Sequence, residues 1–381
     1  MLRKRVTELV AIMGVTLMSN CTNTGQVKTS ESKETPALVN FDLTECLSNL
    51  DEEISCSLKP DQVLELKDTK GALSNGFGVE EICGDRMVVA NNHAVCLYEL
   101  PSGRLLMDVG SPRAMSGAVF AGNDESLLIF KNSWQDNVTT ASQYGVGNEA
   151  TQTVRRPLYG DIDFESDSSF IATNALGFAG GQVCLYRLNN RLEAVDSVPL
   201  PLRMQPQQDH FYVIYPLKQD GKGLNVFLND TVYEVSFAGG AHPIVALDFG
   251  DKKVPEDLTI RRVGNAQDYF KALEPYIDLQ FIDKFGDYLF CRFENGGNVY
   301  NCIFDCESGK MAYSRKGEEG SWGISLDING HTLCSWPVAI WQDNLLFVVP
   351  ADVMNRITGE NGVNPGIAML PMEALKAKLK K

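Results

Sequence analysis

From about residue 55 onward, short apolar runs alternate with polar, turn-rich breaks. Val95-Cys96-Leu97-Tyr98, Val183-Cys184-Leu185-Tyr186 and Cys302-Ile303-Phe304 are each followed by a turn, a basic residue and an apolar one: Arg104-Leu105, Arg191-Leu192 and Lys310-Met311. Such a run, tight turn and second run predict a β-hairpin. An aromatic ruler extends the register. Tyr98, Tyr144, Tyr186, Tyr233, Phe304 and Phe347 are separated by 46, 42, 47, 71 and 43 residues. Four of those gaps match the ~40–50 residues of a four-stranded propeller blade. Leu345-Leu346-Phe347-Val348-Val349 and Phe211-Tyr212-Val213-Ile214-Tyr215 lack polar alternation, as expected of strands covered on both faces.

The pattern predicts an all-β chain folded as a six-bladed β-propeller. The long gap is one blade plus an insertion, and residues 253–277 fill it. Pro255-Glu256-Asp257 is a helix start, so a short helical insertion is expected between blades 4 and 5. A ring must also close, because a terminal blade exposes unpaired strand edges. A strand within residues 61–67 is expected to pair with the last blade, near 344–371. The expected organisation is a signal peptide at 1–20, a lipid-attachment cysteine and flexible tether at 21–53, the propeller at 54–371 and a basic tail at 372–381.

Charge narrows the partners. The net charge is −15, from 34 Lys and Arg against 49 Asp and Glu. A phosphate-binding groove needs basic clusters, so no nucleic-acid partner is expected. The N-terminus adds an address. Leu2-Arg3-Lys4-Arg5 precede an apolar stretch from Leu9 to Met18, too short to span a bilayer and right for a secretory signal. Cys21 directly follows Leu17-Met18-Ser19-Asn20, which resembles a bacterial lipobox. The expectation is lipidation at Cys21 and attachment to a membrane through that anchor. No acid occurs in Thr22–Gln26, which leans towards an outer-membrane lipoprotein facing the periplasm and leaves the cell surface open.

Candidate chemistry is sparse. Asp161, Asp163, Glu165 and Asp167 alternate, so an extended strand would set them on one face. They are oxygen ligands suited to calcium or, more plainly, a solvated acidic approach. Asp209-His210 is a carboxylate–imidazole pair before a strand, able to exchange protons if it reaches the channel mouth. Trp322 and Trp336, with Trp341, fall in the last blade, where an aromatic face packs blades together or stacks on a sugar or peptide. Asp196-Ser197-Val198 and Asp230-Thr231-Val232 resemble O-glycosylation acceptors at Ser197 and Thr231. Cys96, Cys184 and Cys302 repeat in register, too far apart for disulfides and expected as small buried residues. Cys46 and Cys56 flank a linker and are open to pairing. No phosphate loop, G-x-S-x-G or H-E-x-x-H occurs. No cofactor, no metal and no catalytic residue is assigned.

Three segments carry a family resemblance. They are Asn229-Asp230-Thr231-Val232-Tyr233 continuing to His242-Pro243 and Leu247-Asp248-Phe249-Gly250, then Cys334-Ser335-Trp336-Pro337 with Asp343-Asn344-Leu345-Leu346, and finally Asn364-Pro365-Gly366-Ile367. With them the chain resembles the six-bladed β-propeller lipoproteins of Bacteroidetes, including the group described as TolB-like six-bladed propeller-like. Family members often carry a glycine-rich stretch where this chain has residues 110–117. The resemblance implies fold and compartment, not an activity. The expected function is a lipid-anchored, monomeric module that binds a peptide, glycan or protein. The alternative is a carbohydrate-active hydrolase or lyase using carboxylates at the channel mouth.

Overall fold

A computed structural model describes residues 38–48, 58–67, 73, 76–91, 93–110, 115–121, 123–133, 135–145, 150–166, 169–174, 181–204, 215–217, 224–255, 258, 266–316, 323–362 and 364–379. The chain forms six antiparallel sheets in sequence. Blade 1 is β3 (Gly78–Cys83), β4 (Arg86–Ala90), β5 (Val95–Glu99) and β6 (Arg104–Asp108). Blade 2 is β7 (Gly117–Ala121), β8 (Asn123–Ser133), β9 (Val138–Tyr144) and β10 (Ala150–Pro157). Blade 3 is β11 (Tyr159–Ser166), β12 (Ser169–Asn174), β13 (Gly181–Asn189) and β14 (Ala194–Met204). Blade 4 is β15 (Tyr215–Leu217), β16 (Leu224–Leu228), β17 (Thr231–Ser236) and β18 (Gly240–Asp248). Blade 5 is β19 (Asp278–Phe285), β20 (Tyr288–Asn295), β21 (Asn298–Asp305) and β22 (Lys310–Lys316). Blade 6 takes β25 (Pro337–Trp341), β26 (Asn344–Val349) and β27 (Gly366–Pro371) from the C-terminal end of the chain, and β2 (Gln62–Glu65) from its beginning. The architecture is a six-bladed β-propeller.

First strands touch their counterparts around the ring: β3 meets β7 and β25, β7 meets β11, and β15 meets β19. The core is divided among six seams between blades. Strand β4 shows why its sequence lacks alternation. Met87 and Val89 pack towards blade 6, while Val88 and Ala90 pack towards blade 2. In β26 Leu345, Phe347 and Val349 face blade 5, and Leu346 faces blade 1. Every side chain of such a strand leaves water, whichever way the pleat points it. At ~25 cal/mol per Å² of apolar surface, seams of this kind supply the main stabilisation of the ring.

The ruler holds for five blades and slips in the sixth. Tyr98, Tyr144, Tyr186, Tyr233 and Phe304 all lie on third strands, but Phe347 lies on the second strand of its blade. The extra length is a hairpin, β23 (Ile324–Ile328) and β24 (His331–Ser335), interposed between blades 5 and 6. Closure falls where expected. Gln62, Val63, Leu64 and Glu65 pair antiparallel with Met369, Ala368, Ile367 and Gly366. The insertion between blades 4 and 5 contains a 3-10 turn (Gly250–Lys252) and a helix, α2 (Ala266–Leu273).

Both ends differ from the tether and tail that polarity implied. Residues Val39–Asp42 form β1, which runs parallel to β18 and gives blade 4 a fifth strand. After it, α1 (Glu45–Ser48) turns Cys46 inward, and Phe41, Leu43 and Cys46 plug the seam between blades 4 and 5. Three apolar side chains are enough to dock a polar segment when a seam is open to receive them. At the other end Met372–Leu379 is helical (α4), with Leu375 and Leu379 buried beside the fifth and sixth blades. Its lysines face outward while its leucines hold it down. A further helix, α3 (Ala351–Thr358), links β26 to β27 and buries Val353 and Met354.

Candidate functional site

A cleft of about 580 Å³ opens where the insertion meets blade 5, lined by Phe270, Lys271, Glu274, Asp278 and Glu294 among others. Its walls follow from local sequence. Asn295-Gly296-Gly297-Asn298 makes a two-residue hairpin turn with both glycines at positive φ, +58° and +75°. That is the hairpin geometry which favours glycine. The turn holds the insertion in place. The Gly296 amide donates to the Glu274 carbonyl (3.0 Å), and the Asn295 side-chain amide donates to the Tyr276 carbonyl (2.8 Å). The Ile277 amide donates to the Lys252 carbonyl (2.8 Å). The segment that follows α2 is thereby tied to the turn, and Phe270 of α2, 63% exposed, lines the cleft.

The floor of the cleft carries a carboxylate pair. Asp278 and Glu294 are direct partners on neighbouring strands. Burial raises the Asp278 pKa; the Gln280 side chain works against that, and the Glu294 charge adds to it. Asp278 therefore keeps its proton more readily than an ordinary aspartate. Behind Glu294 lies Arg292, whose guanidinium is 3.9 Å from the Glu294 carboxylate and almost fully buried. Burial lowers its pKa, and Glu294 pulls the other way. Arg292 pairs with Asn301, which is 1% exposed and has no hydrogen-bond partner at either amide atom. The same face holds Phe281, and Trp336 stacks on it with centroids 5.0 Å apart. The site thus grades from an exposed aromatic, through two acids, to a buried polar seam.

The residues singled out by sequence do not meet there. Asp161 and Asp163 are on β11, the first strand of blade 3. Asp163 is half-buried, and the next acid of the run, Glu165, is held by two-pronged hydrogen bonds from Arg187 at 2.5 and 2.7 Å. Arg187 also lies over the Phe237 ring, 4.2 Å from its centroid. Glu165 is thus a cross-strand anchor. Among the described residues, no group of three or more His, Cys, Asp or Glu is placed to hold a metal ion. Trp336 packs between blades, against Phe281 and edge-on to Phe290 at 6.4 Å. Its indole N–H is buried and makes no hydrogen bond. Trp341 joins blade 6 to blade 1, donating to the Gly84 carbonyl (3.0 Å) and the Asp85 carboxylate (3.3 Å).

Ser197 is exposed on β14, the last strand of its blade, whereas the Thr231 hydroxyl is half-buried and donates to the Asp230 carboxylate (2.9 Å). Cys21, Cys56, Asp209, His210 and Trp322 lie outside the described residues. Cys46, read as open to pairing with Cys56, points instead into the seam, 3.6 Å from Cys302. Asp278, Glu294 and Phe270 were not picked out by sequence. Two strand-end acids and a helical phenylalanine are ordinary in isolation, and only the docked insertion brings them together.

With this geometry in view, comparisons bear on fold alone. No protein-family model matches the chain, and no curated protein does. Among solved structures, a Bacteroides fragilis protein described as exported aligns with a TM-score of 0.59 at 10% identity, covering 87% of this chain and 99% of that one. A protein of unknown function from Bacteroides caccae gives a TM-score of 0.38 at 10% identity, covering 77% of this chain and 92% of that one. The β-propeller domain of the Trilobed protease from Pyrococcus furiosus gives 0.35 at 10% identity, covering 69% of this chain and 71% of that one. The first of these shares the propeller over nearly its whole length.

Proposed function

We propose that this protein is a binding module of the cell envelope, which captures a peptide, glycan or protein in the cleft beside the insertion. The observation that carries this reading is the convergence of the exposed Phe270 ring with Lys271, Asp278 and Glu294 around a 580 Å³ opening. Pockets that bind small ligands commonly combine an apolar surface with a few polar groups that fix orientation. A phenyl ring offers stacking to a sugar face or an apolar side chain, and two acids accept hydrogen bonds from hydroxyls or amines. The net charge of −15 favours cationic peptides over anionic ones. Titration calorimetry with panels of basic peptides and neutral oligosaccharides tests this. Binding by one panel, lost in Phe270→Ala and weakened at least tenfold in Glu294→Gln, is expected. Binding indifferent to both substitutions, or none from either panel, overturns it.

The cellular setting is part of the proposal. The reading is a monomeric outer-membrane lipoprotein, anchored at Cys21 and facing the periplasm, of the TolB-like six-bladed group, with Ser197 the more accessible of the two glycosylation acceptors. Wild-type protein is expected in the membrane fraction and Cys21→Ala in the soluble fraction. Recovery of wild type in the soluble periplasmic fraction overturns the anchor.

One observation favours a second reading as a glycan hydrolase or lyase: Asp278 and Glu294 are adjacent, and burial raises the Asp278 pKa. A carboxyl whose pKa is raised, beside a second carboxyl group, is a pairing that general acid–base catalysis uses. Release of reducing ends or unsaturated products from a glycan panel, abolished by Glu294→Gln, supports it; intact glycans in every case remove it.

A further inference from the structure

The seam between blades 4 and 5 gathers several sulfur atoms. Cys46 of α1, Cys291 of β20 and Cys302 of β21 are all buried there, 0–1% exposed, with Met311 packed against them. The Cys46 thiol is 3.6 Å from that of Cys302 and 3.4 Å from the Met311 sulfur. Cys291 and Cys302 face each other across neighbouring strands. Cys46 fills part of the seam as a small buried side chain. What the position also offers is a thiol from the N-terminal segment in contact with a thiol 256 residues away.

We propose that Cys46 and Cys302 form a disulfide that locks the N-terminal segment, β1 and α1, onto the propeller. The bond forms by exchange with a disulfide donor, either a thiol-disulfide oxidoreductase or an oxidised low-molecular-weight thiol. The two thiols lose two protons and two electrons, one S–S bond forms between Cys46 and Cys302, and the donor's S–S bond is reduced to two thiols. The sulfurs close from contact to ~2.05 Å, a movement of side chains about an existing contact. Exchange proceeds through a thiolate. Burial, followed by the neighbouring Cys291 and Cys46, pushes the Cys302 thiol well above its ordinary pKa. The buried Cys302 thiol is therefore slow to exchange once docked, so the donor acts as residues 39–48 bring Cys46 into contact with it. Cys291 remains reduced.

The test uses the full chain, refolded from denaturant with oxidised glutathione. It is then denatured without reductant in iodoacetamide, digested and mapped by mass spectrometry. A peptide pair linking Cys46 to Cys302, with Cys291 alkylated, is expected. Alkylation of both Cys46 and Cys302, or a Cys291–Cys302 link, overturns the proposal. A second measurement separates crosslinking from packing. Dithiothreitol is expected to lower the melting temperature of oxidised wild type by several degrees, and to leave Cys46→Ala, Cys302→Ala and the double variant unmoved. A wild type that melts at the same temperature with and without reductant overturns it as well.

Discussion

Gly103 and Glu65 touch across the closure of the ring: a Cβ on Gly103 would lie 2.1 Å from the Glu65 carbonyl oxygen. Gly103 is at φ +64°, and its carbonyl accepts the Lys67 amide at 2.9 Å. The turn between β5 and β6 therefore seats the end of the closing strand. Gly103→Ala is expected to cost about 2–4 kcal/mol, from left-handed backbone strain together with overpacking. Gly84→Ala is the control. It has positive φ but open space around it, and is expected to lose only about 1 kcal/mol. Urea midpoints compare the two.

Leu43 is fully buried beside Phe41 and Cys46 in the seam between blades 4 and 5. Leu43→Ala is expected to destabilise the protein by about 2–5 kcal/mol, the range for truncating a core leucine. A solvated tether at this position would instead leave the thermal melt unchanged.

Asp278 predicts a pH dependence with a definite sign. Its pKa is raised by burial, so the folded state holds the proton more tightly than the unfolded chain does. The contribution is fully present below the ordinary aspartate value of about 3.9, and is lost as pH climbs through the raised folded value. Asp278→Asn cannot charge. The variant is expected to melt higher than wild type at neutral pH, with the difference shrinking to nothing in acid. Melts from pH 3 to 8 check it.

Glu165 has the opposite sign. Burial acts to raise its pKa, but hydrogen bonds from Arg187 and Ser169 and the Arg187 charge prevail and lower it. Its contribution is present above the unfolded carboxylate range and is lost as pH falls through the lowered folded value. Glu165→Gln is expected to narrow the stability gap between neutral and acid pH. An acid-denaturation profile identical to wild type would contradict the pairing.

Asn301 is buried with neither amide atom hydrogen-bonded. Replacing an unsatisfied buried amide by an apolar side chain of similar size removes a desolvation penalty of about 1–3 kcal/mol. Asn301→Leu is therefore expected to raise the melting temperature. A fall would mean that a bound water or ligand satisfies the amide.

The blades were legible because their signal is local and repeated. Tyr98, Tyr186 and Phe304 mark third strands in the same way, and ring closure required a strand within residues 61–67. The N-terminal segment was not legible, since Val39-Asn40-Phe41-Asp42 is short, polar at every second position and pairs with residues some 200 positions away. Period and propensity cannot register a parallel pairing at that distance. The hairpin at 324–335 was missed because its twelve residues push the second strand of blade 6 to the spacing expected of a third, which let Phe347 fall in step with the ruler. The cleft was illegible for a related reason. Phe270 and Asp278 become neighbours only through the way the segment after α2 is tied to a glycine turn, and the turn's own residues carry no chemistry.

Strand β1 has a mechanical consequence. In chain order it stands ahead of β2, so traction applied from the N-terminal side loads the outer edge of blade 4 before it can reach the strand that completes the circle. The four-residue pairing with β18, together with Phe41 and Leu43, would have to peel away first, and a Cys46–Cys302 bond would then hold the load at blade 5. A chain hauled by its leading end thus meets a sacrificial catch, and the weld of the ring is insulated from the strain.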